Sequence, residues 1–552
     1  MCGIFCAIGA ATEEVSCHLH SALQTLLQNR GPDVQQQLLI DNVLLAGHVL
    51  WQQGAAAQPQ PIAEQQLVLL FNGDLYNLNE SKPKEQADSA WLLQQLLLCA
   101  DDEAMLALLR GLEGPYCLIL YNRQEQLLYF CRDALGRNSL IIERQQQTLK
   151  LMSSSYFVAG QQSKVLELPP LGLYKLSLKE LHKCSLYPWQ QLLETQQTQL
   201  QLLNEAMQWC MQLEQPIAPS WLQQIEQTKH DYDFYELCGG GLQLEQLLLE
   251  PAVAATLAKL HKLLLASVRE RVLQTAPVCR HCQQQRHCEH AKLSILYSGG
   301  IDCSILALLA HRFVPAAQPI ELINVAFERV GDVAQQSWQV PDRLSAQQTL
   351  QELHRICPER CWQLLEVNVS REELQQQLKQ HICQLIYPLQ TVLDESLGAA
   401  FWFAAAAPQS HARVALLGSG ADELFGGYVR HRKAWRRGGA EQLLAELEHD
   451  WQRIPARNLA RDDRVIADCG KTARAPFIEE HLVHFVRSLA PAQRCCFTLP
   501  EGVGDKLLLR LYGYSLGLRD AVQLKKRAIQ FGSRIADKKQ QANEISTYLK
   551  IT

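Results

Sequence analysis

The chain opens on Met1-Cys2-Gly3, and Cys2 is the residue that most directly offers chemistry. Removal of the initiator methionine would place a thiol and a free α-amine on one residue. Because an α-amine titrates near about pH 8 and a thiol near about 8.5, the amine can accept the thiol proton and leave a thiolate nucleophile. Such a group attacks amide carbonyls. Taken alone, Cys2 also suits the small apolar start of a buried strand.

A second feature, the pair Asn72-Gly73, follows the apolar run Leu67–Phe71. A side-chain amide and a backbone N–H at such a turn can stabilise a tetrahedral oxyanion, and one donor of this kind is worth about 10²- to 10³-fold in rate. The local alternative is a tight hairpin turn. Two further segments, Asn29–Asp33 and Arg132–Gly136, also end regular runs in glycine turns. With Cys2, these segments suggest acyl transfer from a small amide.

A different chemistry is indicated by Ser298-Gly299-Gly300-Ile301-Asp302-Cys303-Ser304, which lies between an apolar strand and an apolar helical run. Glycines let backbone N–H groups face an anion, and a helix N-terminus adds positive partial charge, so this loop suits a chain of phosphates. Asp302 is placed to hold the accompanying Mg²⁺. The loop lacks the Gly-Lys-Ser/Thr of a Walker motif.

The segment Gly418–Tyr428, with Asp422 and Glu423 between glycines, follows another apolar run. Ligands of open α/β sheets bind beyond the carboxyl ends of the strands, where paired acids suit metal and phosphate. Acids in a first helical turn also complement the helix dipole, so this segment alone leaves both interpretations open.

The elements that position these residues fall into three parts. Residues 1–190 alternate β-like runs and helical stretches, which predicts layered sheets with flanking helices; residues 191–251 form a Gln-rich connector, and residues 252–552 alternate strand, loop and helix. The last pattern predicts a parallel α/β sheet. The predicted strands are 37–46, 67–71, 116–121 and 126–131 in the first part, and 293–297, 322–327, 364–369 and 414–417 in the last.

Composition excludes several classes of function. The 552 residues carry a net charge of -5, so there is no basic excess for non-specific binding to nucleic acid or anionic membranes. The longest apolar run, Leu397–Ala407, is far shorter than the roughly 20 residues of a membrane span. The 19 cysteines are scattered, and the first residues lack the pattern of a signal peptide, so we expect reduced thiols and a cytoplasmic location.

Six potential metal ligands lie between residues 279 and 290: Cys279, His281, Cys282, His287, Cys288 and His290. Zinc accepts such a set. The short spacing, the polar stretch Gln283–Gln285 and the absence of a second Cys-x-x-Cys pair favour an exposed thiol-rich loop instead.

With these segments in this order, residues 1–160 resemble the glutamine amidotransferase domain of the N-terminal nucleophile hydrolases, and residues 252–535 resemble the synthetase domain of asparagine synthetases, a pyrophosphate-loop ATPase. The resemblance implies an α+β N-terminal nucleophile hydrolase-type sandwich followed by an α/β parallel-sheet ATPase domain. It assigns glutamine hydrolysis to Cys2, Asn72 and Gly73, with Cys2 the nucleophile and the other two the oxyanion hole. Asp88 would hold the glutamine α-amine, and Arg30 is the cation that we expect to bind its α-carboxylate in place of the family arginine.

The same resemblance assigns the second site. It implies pyrophosphate binding by Ser298, Gly299, Gly300, Asp302, Cys303 and Lys506, and Mg²⁺ binding by Asp302 and Asp422. The implied reaction is ATP-dependent amidation of aspartate with glutamine-derived ammonia, which yields asparagine, AMP and pyrophosphate. The implied partners are therefore glutamine, aspartate and ATP, with Mg²⁺; a homodimer is allowed for.

Five positions depart from the family pattern. Leu50 stands where the family has the arginine that binds the glutamine α-carboxylate, and Ser419 and Thr472 replace two glutamates. Asp74 and Cys303 replace a glutamate and a serine. These departures resemble those of the asparagine synthetase domain-containing proteins. They keep two alternatives open: a catalytically impaired nucleotide-binding or regulatory homologue, and an ammonia-dependent synthetase with an inactive glutaminase half.

Overall fold

The computed structural model describes residues 2–9, 19–78, 81–158, 163–222, 231–240, 244–282, 285, 287–328, 338–536 and 542–548. Three sheets organise these residues. The first has six strands in the order β10-β8-β9-β1-β3-β2, the second seven in the order β13-β12-β11-β7-β6-β5-β4, and the third five in the order β16-β15-β14-β17-β18.

The first two sheets form a sandwich that is covered by helices on its outer faces. Alternation along β1 shows why: Ile4 and Cys6 face a core shared by both sheets, whereas Phe5 packs with Leu23 and Leu27 of an outer helix. The strands are β1 (Gly3–Ile8), β2 (Val34–Ile40), β3 (Val43–Val49), β4 (Ile62–Glu64), β5 (Leu67–Gly73), β6 (Tyr116–Asn122), β7 (Leu127–Arg132), β8 (Ile141–Gln145), β9 (Thr148–Met152), β10 (Lys164–Glu167), β11 (Gly172–Ser177), β12 (Lys183–Pro188) and β13 (Cys210–Leu213).

Two sequence expectations for this part were wrong. The predicted strand 37–46 is a hairpin, because the chain reverses between β2 and β3 and Asp41 takes a φ of +52°. The connector does not begin at residue 191 as a separate segment, because β13 pairs with β12 in parallel and extends the second sheet. Further along, Phe234 and Leu247 are buried in the core of the following domain.

The third sheet is parallel throughout, as predicted. Its strands are β14 (Leu293–Leu296), β15 (Ile320–Phe327), β16 (Trp362–Val369), β17 (Val414–Leu416) and β18 (Thr472–Arg474). The sequence prediction found four of these and missed β18, which has three residues and no apolar run. Because β14 and β17 are neighbours, the loops that follow them meet at one edge of the sheet.

The α-helices cover both domains. They span Ser21–Arg30, Asp88–Leu98, Asp102–Arg110, Glu194–Met207, Phe234–Gly239, Leu244–Leu247, Pro251–Leu273, Ile301–Ala310, Pro341–Ile356, Arg371–Gln377, Cys383–Ile386, Val392–Ala405, Ala421–Phe425, Val429–Ile454, Ala460–Ala467, Glu480–Ser488, Pro491–Arg494, Leu507–Ser515 and Ile529–Gly532. Short 3₁₀-helices span Ser220–Leu222 and Ala521–Gln523, and π-helices span Leu378–Ile382 and Pro455–Leu459.

The helix Pro251–Leu273 is long and apolar enough to cross a membrane by length and composition. Its residues Val253, Leu260, Leu264 and Val268 are fully buried in the core of the second domain. We therefore interpret it as a core helix.

Candidate active sites

Cys2 directly precedes β1, an inner strand of the first sheet, and borders a cavity of about 50 Å³. Gly73 and Asp88 line the same cavity, although they lie 71 and 86 positions after Cys2 in the sequence. The thiol is almost fully buried, and burial raises its pKa. Three of the five residues assigned to glutamine chemistry therefore share one cavity.

Asn72 lies directly beside Cys2. The backbone N–H of Cys2 donates to Asn72 Oδ1 over 2.6 Å, and Asn138 Nδ2 donates to the backbone carbonyl of Asn72 over 2.9 Å. Asn72 Nδ2 is buried and has no hydrogen-bond partner in the described part of the chain. A buried amide donor without an acceptor is costly, and an oxyanion would satisfy it. The geometry fits the predicted oxyanion hole, which stays a prediction.

Asp88 begins the helix Asp88–Leu98 and is 4% exposed. Its carboxylate accepts from the Leu75 backbone N–H over 2.7 Å and pairs with Lys82 Nζ at 3.1 Å. Burial raises its pKa to about 6, although Lys82 acts in the opposite direction. A glutamine α-amine would therefore share this carboxylate with Lys82.

The structure does not bring Arg30 to the cavity. Its guanidinium is fully buried, donates to the Cys2 carbonyl over 3.3 Å and pairs with Asp463 at 3.0 Å across the domain boundary. Because its charge is already neutralised by Asp463, this placement disagrees with the role in binding the glutamine α-carboxylate. Leu50, at the position of the family arginine, lines the cavity and is 3% exposed.

The second site is built on two loops at one edge of the parallel sheet. Gly299 adopts a φ of +75°, and a Cβ there would lie 2.3 Å from the Ser345 carbonyl carbon, so only glycine fits. Gly300 is the N-cap of the helix Ile301–Ala310, with Asp302 in its first turn. Gly418 approaches Asp302 closely enough that an added Cβ would lie 2.9 Å from that residue's Cβ. The loop residues thus converge as the sequence predicts.

Lys506 connects the two loops. Its Nζ lies 2.8 Å from both carboxylate oxygens of Asp302 and 2.9 Å from Asp422 Oδ1. Lys506 is 1% exposed, so it is not a solvated surface lysine. One ammonium therefore holds together the two carboxylates that the sequence assigns to Mg²⁺.

Lys526 is a charged residue of this site that the sequence analysis did not single out. Its Nζ pairs with Asp422 Oδ2 at 2.6 Å. Burial alone would raise the pKa of Asp422, but Lys506 and Lys526 together hold it well below its usual range. The signal was the basic run Lys525-Lys526-Arg527, of which Lys526 and Arg527 line the main cavity.

The main cavity has a volume of about 580 Å³, within the roughly 300–1,000 Å³ of small-molecule sites. The phosphate-loop residues Ser298, Gly300, Asp302 and Cys303 line one part of it. Cys303 Sγ donates to the Gly300 carbonyl over 3.1 Å, and burial raises its pKa to about 11. The thiol therefore stays protonated and serves as a local donor, as a hydroxyl would.

Another part of the main cavity is lined by Ser419, Glu423 and Arg457. Burial, reinforced by Asp422, raises the pKa of Glu423 to about 7. Arg457 is half-buried, and it forms no ion pair with any residue that the structure describes. This cation is available for a carboxylate ligand.

A small cavity of about 20 Å³ lies between the two sites. Leu417 and Asp462 border both this cavity and the main one. Arg474 lines it too and pairs at 2.9 Å with Asp74, which borders the Cys2 cavity. The two sites are thus joined by a continuous set of buried contacts.

Comparison with known proteins follows this division. Residues 1–193 match the model of the glutamine amidotransferase domain, and residues 260–447 match that of asparagine synthase. The chain is 52% identical to asparagine synthetase domain-containing protein CG17486 of Drosophila melanogaster, over 100% of this chain and 100% of that protein. It is 34% identical to asparagine synthetase domain-containing protein 1 of Homo sapiens, over 99% of this chain and 96% of that protein.

The chain belongs to the asparagine synthetase domain-containing proteins. Its first domain is therefore an N-terminal nucleophile-type glutamine amidotransferase domain, and its second is a parallel-sheet domain of the asparagine synthase type. A putative glutamine-hydrolysing asparagine synthetase of Methanocaldococcus jannaschii is 28% identical over 36% of this chain and 32% of that protein. Domains of these two types indicate an enzyme of the ligase or amidotransferase class, and the asparagine synthase family as a whole uses ATP.

Proposed function

We propose that the protein is an ATP-dependent amide-forming ligase that converts aspartate to asparagine, with release of AMP and pyrophosphate. The ammonia is released from glutamine at Cys2. The 18 described cysteines form no disulfide, which supports a reducing compartment such as the cytoplasm.

The carrying observation is the meeting of the two glycine loops around Lys506 beside the main cavity. Backbone N–H groups, a helix N-terminus and two lysines bring hydrogen-bond donors together where a pyrophosphate chain would lie. The half-buried Arg457 supplies a cation for the α-carboxylate of the acceptor. The cavity is large enough to hold a nucleotide, so the second site supports carboxylate activation better than a purely structural role.

Asp302 and Asp422 fit a Mg²⁺ site by the chemistry of their donors, because hard divalent cations prefer carboxylate oxygens. Both carboxylates are paired with lysines here, and phosphate oxygens would compete for those lysines. When bound, Mg²⁺ would neutralise charge on the phosphates of ATP and on the departing pyrophosphate. Lys506 and Lys526 would then be free to bind pyrophosphate oxygens.

At the first site, the Cys2 thiolate would attack the glutamine carboxamide, with Asn72 Nδ2 and the Gly73 N–H as donors to the oxyanion. Loss of the amide nitrogen as ammonia would leave a thioester that water hydrolyses to glutamate. The set of buried contacts between the sites supports transfer of ammonia within the protein.

A second candidate function is synthesis from free ammonia with a weak glutaminase half. Three observations favour it: the Cys2 cavity of only about 50 Å³, the side chain of Leu50 in its wall, and the engagement of Arg30 with Asp463. Glutamine can enter only if this cavity opens.

The test is to supply purified protein with MgATP and aspartate, with either glutamine or an ammonium salt, and to measure asparagine and AMP. We expect asparagine from both nitrogen sources. Cys2→Ala should abolish the glutamine reaction and keep the ammonium reaction, Asp302→Asn should abolish both, and the exposed-site control Cys361→Ser should change neither.

Each other outcome decides between alternatives. Product from ammonium alone would establish the second candidate. AMP formed only with a different carboxylate would refute aspartate as the acceptor while keeping a ligase. ATP binding without AMP from any acceptor would refute the enzyme and favour a nucleotide-binding regulatory protein.

A further inference from the structure

The segment between the helix Pro251–Leu273 and β14 gathers four potential metal ligands. One ligand atom from each of Cys279, Cys282, Cys288 and His290 lies within 4.8 Å of every other. The sequence expectation of an exposed thiol-rich loop was wrong in this respect, since Cys279 is 0% and Cys288 6% exposed. The second half of the set is Cys288-x-His290, a pair that a search for a second Cys-x-x-Cys overlooks.

The distances match those of a metal site. A tetrahedral zinc ion with bonds of about 2.3 Å to sulfur and about 2.0–2.1 Å to nitrogen places each sulfur about 3.5 Å from the nitrogen. His290 Nδ1 lies 3.7 Å from Cys279 Sγ and 3.4 Å from Cys282 Sγ. The same ring nitrogen thus faces two sulfurs at once, as a shared ion requires.

The surroundings also suit thiolate ligands. The backbone N–H of Cys279 donates to Cys288 Sγ over 3.1 Å, a contact that supports negative charge on that sulfur. The His290 ring stacks on His411 with centroids 4.6 Å apart, which fixes its orientation. The cysteine set packs against Val278 and Trp51 in a small core of its own.

We propose that Cys279, Cys282, Cys288 and His290 bind one structural Zn²⁺. Three thiolates and an imidazole in a tetrahedral set are characteristic of zinc, and four protein ligands leave no position for a substrate. Binding releases the thiol protons and involves no redox change.

The proposed ion has a definite structural task. The segment that carries its ligands lies against the loop after β3, where Trp51 follows the cavity residue Leu50. Arg413 joins the same region, since it donates to the Val278 and Trp51 carbonyls and pairs with Asp33 at 2.7 Å. Zinc would therefore fasten the second domain to the wall of the Cys2 cavity.

The test uses the full-length protein without a histidine tag, purified under reducing conditions from zinc-supplemented cells. Elemental analysis should find about one zinc per chain. Cys282→Ser and Cys288→Ser should lose it, whereas Cys361→Ser, which alters an exposed cysteine away from the set, should retain it. Chelation should lower the Tm of the wild-type protein and of Cys361→Ser.

Cobalt gives a measurement that does not depend on the variants folding. Co²⁺ added to metal-free wild-type protein should produce the intense visible bands of tetrahedral thiolate coordination, and zinc should displace them. Wild-type protein without zinc and without these bands would overturn the proposal. Zinc retained at the wild-type level by both Cys282→Ser and Cys288→Ser would also overturn it. So would a Cys279–Cys282 disulfide in the protein purified under reducing conditions.

Discussion

The ion pair between Asp74 and Arg474 gives the sharpest test of how the two domains are coupled. Asp74 follows the Asn72-Gly73 pair, and Arg474 ends β18 of the other domain. Arg474 Nε and Nη2 each lie 2.9 Å from Asp74 Oδ2, and the two side chains are 0% and 4% exposed. Burial alone would raise the pKa of Asp74, but Arg474 lowers it overall. We expect this pair to stabilise the interface.

The magnitude follows from what each substitution leaves behind. Arg474→Met leaves a buried carboxylate with only neutral donors, Tyr76 and Gln53, and breaking a buried pair in this way costs about 3–5 kcal/mol. Arg474 also donates to the Gln274 carbonyl and to Thr275 Oγ1, so this variant should be the more damaging one. Asp74→Asn keeps the shape and should cost less.

The assay is urea unfolding of the wild type, both single variants and the double variant. The double variant should cost less than the sum of the singles, with a coupling energy of about 1–3 kcal/mol. Because the pKa of Asp74 is lowered below its ordinary 3.8, the stabilisation is present above about pH 4 and lost as the pH falls through the folded-state value. A coupling below about 0.5 kcal/mol at pH 7 would refute the reasoning.

A matched control separates the interface from buried ion pairs in general. Glu143 and Lys150 form a buried pair at 3.2 Å within the first domain. Disrupting that pair should also destabilise the protein. Asp74→Asn alone should change the glutaminase rate relative to the ammonium-driven rate, since only Asp74 borders the Cys2 cavity.

Two further substitutions test the electrostatics of the main cavity. The pKa of Glu423 is raised from 4.5 to about 7, so ionisation of this carboxyl group destabilises the folded state at high pH. Glu423→Gln should therefore raise the free energy of unfolding by up to about 3 kcal/mol at pH 8 and by much less at pH 5. An equal gain at both pH values would contradict the assignment. Lys526→Gln removes one charged donor from the phosphate side of the main cavity and should weaken ATP binding about 10-fold or more in calorimetry. The control Lys433→Gln, which alters an exposed lysine, should leave ATP binding unchanged. Equal affinities in both variants would exclude Lys526 from the ATP site.

The sequence predicted the parts of the structure that depend on local pattern. The loop after β14 carries its glycines and Asp302 in consecutive positions, and the apolar run before it announces a buried strand. Short polar elements escaped: β18 has three residues, Thr472–Arg474, and its place is fixed by pairing with β17 and not by its own composition. The hairpin at Asp41 escaped because apolar residues flank the turn closely on both sides, at Leu38–Ile40 and Val43–Ala46, and are interpreted as one strand.

Long-range polar contacts were beyond the sequence for a different reason. The sequence offers Arg30 as a substitute for the family arginine that Leu50 replaces. The fold keeps Arg30 beside Cys2 but places Asp463 against it, and a buried guanidinium takes the carboxylate that neutralises it. For the cluster of Cys279, Cys282, Cys288 and His290, the sequence analysis argued against a grouping that the structure shows. A motif search depends on spacing, whereas a fold can bring Cys288-x-His290 onto an earlier pair through any turn of suitable length.

The polar contacts at the interface bear on how the two reactions are kept together. Arg30–Asp463, Asp33–Arg413, Asp74–Arg474 and Arg464–Glu167 all cross between the domains, and the cations are completely buried. Such pairs add little net stability compared with apolar packing, but they tolerate few alternative arrangements, because any shift leaves a buried charge unpaired. An interface of this kind holds its register. It therefore fixes the small cavity between the two sites, and under the function proposed above that cavity would let ammonia from the Cys2 site reach the main cavity without passing through bulk water.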